Sequence, residues 1–441
     1  MRSPATTAVA AREQNPALVL GLLTLVQMSG YADRNIINLL MDPIKHELGA
    51  SDTLLGLVTG FGFTFFHLLF AIPVARWADR WSRLAILTTG LVVWSVMTGL
   101  TAFATSLLLI GLCRVGVGLG EATMQGPTHS MISDSFPKER RPVAFSILSC
   151  GVELGIMAGL LIGGWVGQIW GWRAAFLVAG APGLAIALAL RLLIREPPRG
   201  ASEAAQRPPP PLPFRRAVRV LFDQRSYVLC VVGGVFIGFT VFTTQAWGPT
   251  FLRRVHHLDS AILGTYTAFV RGPCAIAGTL IGGYLAQRLG RKSDVWRGRV
   301  PALACLLTVP FFYLFLFADW LPMAFAAFGA LTICIGMQVA PVLAVCQTVA
   351  PQRARALASA LFFFPVQMIG LGVGALLIGA LSDWLTPLYG ALGLRYALLF
   401  PASTGILAAL AFWLAGRSVA ADAERARQFD GPGATPSSVA V

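Results

Sequence analysis

The sequence predicts an all-α membrane protein in which twelve transmembrane helices form two halves of six. Three observations support this fold class. Of the 441 residues, 56% are hydrophobic and only 12% are charged, whereas soluble domains contain about 25% charged residues. The apolar residues form twelve long stretches, each able to cross a hydrocarbon core of about 30 Å. Most of the basic residues also fall in segments on one side of these crossings.

Each apolar stretch has at least about 18 residues, which is the length that a membrane-crossing helix needs. The stretches are 16–41, 53–77, 84–103, 106–131, 142–165, 173–194, 226–250, 261–286, 299–318, 321–347, 354–381 and 395–416. Residues 1–15 lack the apolar core of a signal peptide, so we expect the first stretch to remain as a helix.

The formal net charge of +14 is explained by membrane topology. With twelve crossings, most of the 34 Lys and Arg residues fall in segments on one side, which is the bias seen for cytoplasmic segments. Both termini are therefore expected in the cytoplasm, and no nucleic-acid partner is needed to explain the charge. The Arg-rich, Lys-poor composition indicates a bacterial protein of the inner membrane.

Three pairs of short segments indicate that the two halves arose by duplication. ARWADRWSR (75–83) aligns with GYLAQRLGR (283–291), FPKERR (136–141) with APQRAR (350–355), and GWRAAF (171–176) with GLRYAL (393–398). Repeats of this kind commonly build transporters with a site between the repeats. The predicted organisation is an N-terminal tail at 1–15, a first half at 16–195, a Pro- and Arg-rich linker at 196–225, a second half at 226–416 and a C-terminal tail at 417–441.

Charged residues inside the first half predict a proton-coupling site. Asp33 in span one and Arg114 in span four lie at similar depths, about 12 Å from the same membrane face at about 1.5 Å per residue. Glu121 follows Arg114 by two helical turns, so it projects from the same side of the helix. Arg114 can fully compensate only one of the two carboxylates, so this site can gain or lose a proton. The alternative is a structural ion cluster that only joins helices.

We expect Glu121 to be the main proton carrier and Asp33 its coupled partner. Arg114 would be the cation that switches between them or binds an anionic substrate. Arg34 points about 100° away from Asp33 on a helix, which suits either a gate residue or an interfacial one.

Further substrate-binding candidates project from several spans, with structural alternatives for each. A His is suited to proton relay but also to a helix contact, and a single Arg in the second half can bind an anionic head or pair across the interface. These candidates are Glu153, His67, Gln125, Thr244 and Arg271, together with Arg34 and Arg114.

Two patterns resemble the major facilitator superfamily. ARWADRWSR resembles the signature loop of that superfamily, which implies that Asp79, Arg80 and Arg83 act as a conformational latch. GIMAGLLIGG (155–164) resembles the glycine pattern of its exchangers, and glycines at four-residue spacing also predict close helix packing.

Three longer segments are similar to the Spinster family within this superfamily: YADRNIINLL (31–40), RVGVGLGEATMQGPT (114–128) and REPPRG (195–200). The resemblance implies that Asp33, Arg114 and Glu121 match the protonation and binding positions of that family. It also implies a proton-coupled carrier of an amphiphilic lipid, such as a lysophospholipid or a sphingoid phosphate.

Other functions remain open from the sequence. A proton-coupled symporter of organic or sugar acids carries related patterns in spans one and four, and an uncoupled lipid scramblase or a lipid-sensing receptor also suits twelve helices. No nucleophile, base or metal-ligand set predicts an enzyme. No cofactor or metal is expected, because the seven Cys show no ligand spacing. We expect a monomer whose partners are membrane lipids, protons and a small amphiphilic substrate.

Overall fold

The structure is a computed structural model that describes residues 15–137, 140–197 and 213–430, and these residues contain helices and no strands. Most helices match the predicted spans. The helices are α1 Pro16–Leu48, α2 Asp52–Gly56, α3 Phe63–Arg80, α4 Arg83–Thr101, α5 Leu107–Glu121, α6 Gln125–Ser135, α7 Arg141–Leu161, α8 Gly167–Leu193, α9 Phe214–Phe222, α10 Arg225–His256, α11 Ser260–Gly290, α12 Trp296–Phe317, α13 Leu321–Val349, α14 Arg355–Gln367, α15 Gly374–Tyr389, α16 Gly393–Ala397 and α17 Leu399–Asp430.

Several of these helices are continuous across short irregular turns. π-helical turns at Leu57–Gly62, Ile162–Val166 and Met368–Val373 join α2 to α3, α7 to α8 and α14 to α15. The turn at Ala122–Met124 separates α5 from α6 inside the predicted fourth span. α1 ends at Gly49, whose φ of 62° is favoured by glycine.

Nine segments of the described chain are long and apolar enough to cross a membrane. The segment Val143–Leu193 is too long for one crossing and breaks at Gly171, where φ is 82° and ψ is 165°. The segment Leu357–Phe429 likewise breaks at Gly390, where φ is 58°. These two breaks and the 33-residue α1 support the twelve-crossing arrangement, which stays a prediction.

We call the membrane face that holds Pro16 and Arg225 the terminal face, and the face that holds Leu48 and His256 the far face. Before residue 197, α1 packs on α7 and α8, and α4 packs on α5 and α8. After residue 213, α10 and α12 pack on α17, and α13 packs on α11 and α12. This packing accords with two separate halves.

The predicted tails and linker fall largely outside the described residues. The N-terminal tail is described only at its last residue, residues 198–212 of the linker are not described, and residues 431–441 of the C-terminal tail are not described. Within the predicted linker, residues 214–222 form the helix α9. Helix α17 continues past Gly416, where the tail was predicted to begin, as far as Asp430.

The glycines of the exchanger-like pattern bring α7 into backbone contact with α1. A Cβ atom on Gly155 would lie 2.3 Å from the carbonyl oxygen of Met28, and one on Gly159 would lie 2.5 Å from that of Ala32. Side chains at these positions would force the helices apart. Close packing therefore explains this glycine spacing.

We predict that Gly155→Ala destabilises the protein, because its methyl group would overlap the α1 backbone and overpacking of this kind costs about 1–3 kcal/mol. The measurement is the apparent melting temperature of the purified protein in detergent. Gly21→Ala is the matched control, since a Cβ at Gly21 has no atom within 4 Å. Equal melting temperatures for both variants would show that α1 and α7 are not held this closely.

Candidate functional site

The far face is closed by a charged network that joins the two halves around Asp52. This buried carboxylate accepts hydrogen bonds from Arg254 of α10, from Ser382 of α15 and from Lys45 of α1. Arg254 also donates to Asp42 at the end of α1, over 2.7 Å and 2.9 Å. One guanidinium of the second half thus bridges two carboxylates of the first half, and Lys45 supplies the second positive charge.

A carboxylate of the second half also takes part in this closure. Asp383 of α15 accepts from the backbone N–H groups of Asp52 and Thr53 and from the Thr53 hydroxyl. Anions are stabilised at the N-terminus of a helix, and these two N–H groups begin α2. The far face is therefore held by both halves in this conformation.

Asp33 lies in a fully buried position in the middle of the first half. Its Oδ2 accepts a hydrogen bond from the Thr98 hydroxyl of α4 at 3.2 Å. Its Oδ1 forms no hydrogen bond with the described residues. Arg114 Nη1 donates at 3.4 Å to the backbone carbonyl of Asp33 instead of the carboxylate. Among the described residues, no ion pair within 4.0 Å joins Arg114 to Asp33.

Glu121 is neutralised by Arg34, whereas Arg114, the cation expected to switch between the carboxylates, forms no ion pair with it among the described residues. Arg34 Nε donates to Glu121 Oε2 at 3.0 Å, and its Nη2 donates to the same oxygen. The Arg34 side chain is only 15% exposed. This burial corrects the interfacial alternative for Arg34: a guanidinium that reaches from α1 to α5 is part of the buried cluster.

An aromatic ring lies between the charged side chains of this cluster. The guanidinium carbons of Arg34 and Arg114 lie 5.2 Å and 5.1 Å from the centroid of Phe63. Cations at this distance are attracted by the face of an aromatic ring. The same ring stacks on His67, whose Nδ1 lies 3.4 Å from the carbonyl oxygen of Gly118. His67 is therefore in contact with α5 beside the cluster.

A second site lies between the two halves, at about the depth of the cluster. It is a cavity of about 260 Å³ whose walls come from α1, α7, α10, α11 and α13. Three predicted binding residues line it: Glu153, Thr244 and Arg271. Two polar residues that the sequence analysis did not select, Asn35 and Gln245, also line it. We call this space the central cavity.

Two polar contacts cross the central cavity and join the halves. Arg271 of α11 forms an ion pair with Glu153 of α7 at 3.0 Å. Gln245 of α10 donates to the side-chain oxygen of Asn35 on α1. Asn35 is two residues from Asp33, so the cluster and the cavity share one turn of α1. The Thr244 hydroxyl donates to the Thr240 carbonyl of its own helix.

Next to the central cavity lies an apolar pocket of about 140 Å³ inside the second half. The two spaces share Val241, Ile335 and Val339, and the pocket is closed by Phe362 and Phe363. One end of the combined space is therefore charged and the other is apolar.

The predicted latch is built around Arg83. This arginine is 3% exposed, and it donates to Asp134, Glu196, Ser130 and the Pro197 carbonyl. Burial tends to raise the pKa of Glu196, but hydrogen bonds from Ser82 and Arg83 lower it overall.

The other selected residues take less central positions. Arg80 is exposed, and the Asp79 side chain lies outside the described part of the structure. Gln125 is half-buried and begins α6, beyond the turn that ends α5, so it lies outside the helix that carries Arg114 and Glu121.

Sequence reasoning missed several residues that the geometry makes important. Thr98 and Phe63 contact the buried charges from neighbouring helices, and a hydroxyl or an aromatic ring in an apolar span gives no signal by itself. Asp52 and Arg254 sit at helix ends beside the predicted spans. The sequence did contain a signal for this pair, because an acidic and a basic residue occur at corresponding ends of spans in opposite halves.

Two bundles of membrane-spanning helices, a cavity with ionisable residues between them and a closure on one face are together typical of a membrane transporter. The sequence profile of the Major Facilitator Superfamily matches residues 23–367. The chain belongs to this superfamily, and within it the chain is of the Spinster type, as its relatives show.

Three relatives illustrate this similarity. An MFS-type efflux pump of Mycolicibacterium smegmatis is 32% identical over 402 residues, which cover 90% of this chain and 91% of that protein. Protein spinster homolog 1 of Xenopus tropicalis is 28% identical over 440 residues, covering 92% and 82%. The crystal structure of a bacterial homologue of the human lysosomal transporter Spinster, inward-facing and unoccupied, is 26% identical with a TM-score of 0.82, and the match covers 92% of this chain and 98% of that one.

We predict that Arg254→Gln opens the far face, because it leaves the carboxylates of Asp42 and Asp52 without their guanidinium. Breaking a buried ion pair costs about 3–5 kcal/mol. Arg254 is partly exposed, so we expect a smaller effect, of about 1.4 kcal/mol or a tenfold population shift.

The measurement is the distance between spin labels on His46→Cys and Leu388→Cys, exposed positions of the two halves on the far face, with the native cysteines replaced by alanine. Longer distances should become populated. Arg253→Gln is the matched control, since among the described residues the Arg253 side chain bonds only to Ser260 of its own half. Unchanged distances in Arg254→Gln would show that this network does not hold the gate.

Proposed function

We propose that this chain is a proton-coupled carrier that moves an amphiphilic lipid with a charged headgroup across the bacterial inner membrane. The terminal face would be cytoplasmic, in agreement with the distribution of basic residues. The relative named as an efflux pump favours outward movement. The observation that carries the proposal is the buried cluster of Asp33, Arg34, Arg114 and Glu121 one helical turn from the central cavity.

Asp33 is the residue that we expect to hold the proton in this conformation. Glu121 has its counter-charge in Arg34, whereas Asp33 has one hydroxyl donor and no ion pair among the described residues. A buried carboxylate without a cation is costly unless it is protonated. The sequence analysis expected Glu121 to be the main proton carrier. We now propose that Asp33 and Glu121 act as a pair and that the two carboxylates share the positive charges of Arg34 and Arg114.

Release of the proton would then change the contacts of α1. An ionised Asp33 attracts the guanidinium of Arg34 or Arg114, and movement of Arg34 leaves Glu121 uncompensated. Because Asn35 on the same turn bonds to Gln245 of the second half, rearrangement of this turn changes a contact between the halves. Proton binding and alternating access are linked in this way.

The substrate class is inferred from the shape and polarity of the cavity. Glu153 and Arg271 suit a charged headgroup, and the adjoining apolar pocket suits a hydrocarbon chain. The central cavity, at about 260 Å³, is below the roughly 300–1,000 Å³ typical of ligand sites. We therefore expect it to widen when the ligand binds.

The small volume also supports a second candidate. A short organic or sugar acid fits the cavity as it stands and would pair with Arg271. In that case the apolar pocket would play no part in binding.

Proton coupling is tested with the purified protein in proteoliposomes that contain a pH-sensitive dye. Lysophospholipids, sphingoid phosphates and organic acids are added in turn. We expect lipid-triggered proton flux in the wild type and its loss in Asp33→Asn and Glu121→Gln, with exchange of labelled lipid retained. Asp319→Asn, at an exposed position, is the control.

Three other outcomes would contradict parts of the proposal. Flux triggered only by organic acids would favour the symporter. Lipid movement without proton flux would favour an uncoupled scramblase, and lipid binding without movement would favour a receptor.

If Arg271 binds the lipid headgroup, two variants should change lipid affinity in opposite directions. Arg271→Gln should weaken binding of a phosphate-headed lysolipid about tenfold, or about 1.4 kcal/mol. Glu153→Gln should strengthen it, because the guanidinium no longer has a competing carboxylate. Equilibrium binding of labelled lipid to the detergent-purified protein measures both. Weaker binding in both variants would show that the pair serves only to join the halves.

A further inference from the structure

The two copies of the duplicated loop hold their arginines in different surroundings. In the alignment of 75–83 with 283–291, Arg83 corresponds to Arg291 and Asp79 to Gln287. Arg83 is buried and neutralised by Asp134 and Glu196. Arg291 is exposed, and its side chain forms no ion pair or hydrogen bond with the described residues. The second copy therefore retains the arginine but, among the described residues, not the carboxylates that neutralise it in the first copy.

The carboxylates of the first copy have polar, uncharged counterparts in the second. The alignment of 136–141 with 350–355 places Thr348 at the position of Asp134, and that of 171–176 with 393–398 places Ser418 at the position of Glu196. Thr348 donates its hydroxyl to the Ala344 carbonyl, and Ser418 donates to the Ala415 carbonyl. Both hydroxyls are thus directed to their own helices.

A cleft lies beside Arg291 in the second copy. It has a volume of about 380 Å³ and lies between the terminal-face ends of α11 and α13 and the start of α12. Arg291, Arg297 and Gln287 supply its polar groups. Arg297 pairs with Asp294 at 3.2 Å, in a contact that is largely exposed to solvent and leaves the local charge positive. We call this space the second-half cleft.

The remaining walls of the second-half cleft are small and apolar. Gly283 and Ala286 of α11 face Ala340 and Ala344 of α13, and a Cβ on Gly283 would meet only the Ala340 Cβ, at 3.9 Å. Neighbouring positions of α11 present large apolar side chains outward, at Leu280 and Tyr284. The cleft thus has cationic residues at the terminal face and continues into an apolar groove between α11 and α13, which we call the trough. The trough lies beside the lipid-facing side of α11.

We propose that the second-half cleft binds a membrane phospholipid with an anionic headgroup. Its phosphate takes the place that carboxylates occupy around Arg83, between Arg291 and Arg297, and one acyl chain lies along the trough between α11 and α13. Basic pockets between transmembrane helices favour anionic headgroups in this way. A soluble anion would use the arginines but not the trough.

The test is native mass spectrometry of the full-length protein with added phosphatidylglycerol, and with phosphatidylcholine as the neutral comparison. We expect one phosphatidylglycerol to bind to the wild type with preference over phosphatidylcholine. Arg291→Gln combined with Arg297→Gln should weaken this binding event about tenfold or more. Arg219→Gln combined with Arg427→Gln removes two exposed cations of the same face and should leave it unchanged.

A second variant separates the lipid from a free anion. Gly283→Leu keeps both arginines and fills the trough, and its Cβ would meet Ala340 at the ordinary contact distance of 3.9 Å. We expect it to lose the preference for phosphatidylglycerol. Normal lipid binding in Gly283→Leu, equal binding in the arginine variant, or displacement of the lipid by inorganic phosphate would each overturn the proposal. The proposed lipid site uses none of the residues of the proton-coupling cluster, so its failure leaves the proposed proton coupling untouched.

Discussion

The structure depends on the matching of the charges that α1 brings into an apolar helix bundle. A charge without a partner at this depth is costly, and removal of one partner costs more than the pair itself contributes. The middle of α1 therefore needs α5, which supplies Glu121 to Arg34, and its far end needs α10, which supplies Arg254 to Asp42. The centre of α1 is thus bonded within the first half, and its far end is bonded to the second half at the closed far face.

The glycine contact between α1 and α7 couples the movements of these two helices. Backbones in direct contact leave no compressible side-chain layer, so α1 and α7 move together. Helix α7 carries Glu153 and α1 carries Asn35, and each is bonded to a residue of the second half. In the proposed mechanism, a change of charge at Asp33 therefore reaches both polar contacts across the central cavity through one rigid pair of helices.

The sequence was sufficient for the parts of the site that depend on depth and helical spacing. Asp33 and Arg114 lie close together because their depths in two antiparallel helices coincide, and Glu121 follows Arg114 by two turns on α5. The partner of Glu121 could not be read in this way, because helical angles describe where a side chain starts and not where a long guanidinium ends. The Asp52–Arg254 gate was missed because its members lie at the margins of the apolar stretches, where charges are ordinarily solvated.

The paired segments of the sequence indicate a duplication, but the charged side chains of the two halves differ. The first half concentrates carboxylates: two in the cluster, two around Arg83 and Glu153 at the cavity. The second half meets it with isolated guanidiniums, Arg254 and Arg271, set in apolar walls. A carrier whose halves attract each other through many pairs would stay closed. Because the ion pairs between the halves are few, and a proton or a charged headgroup can neutralise their charges, the same interactions that hold this conformation also allow it to be left.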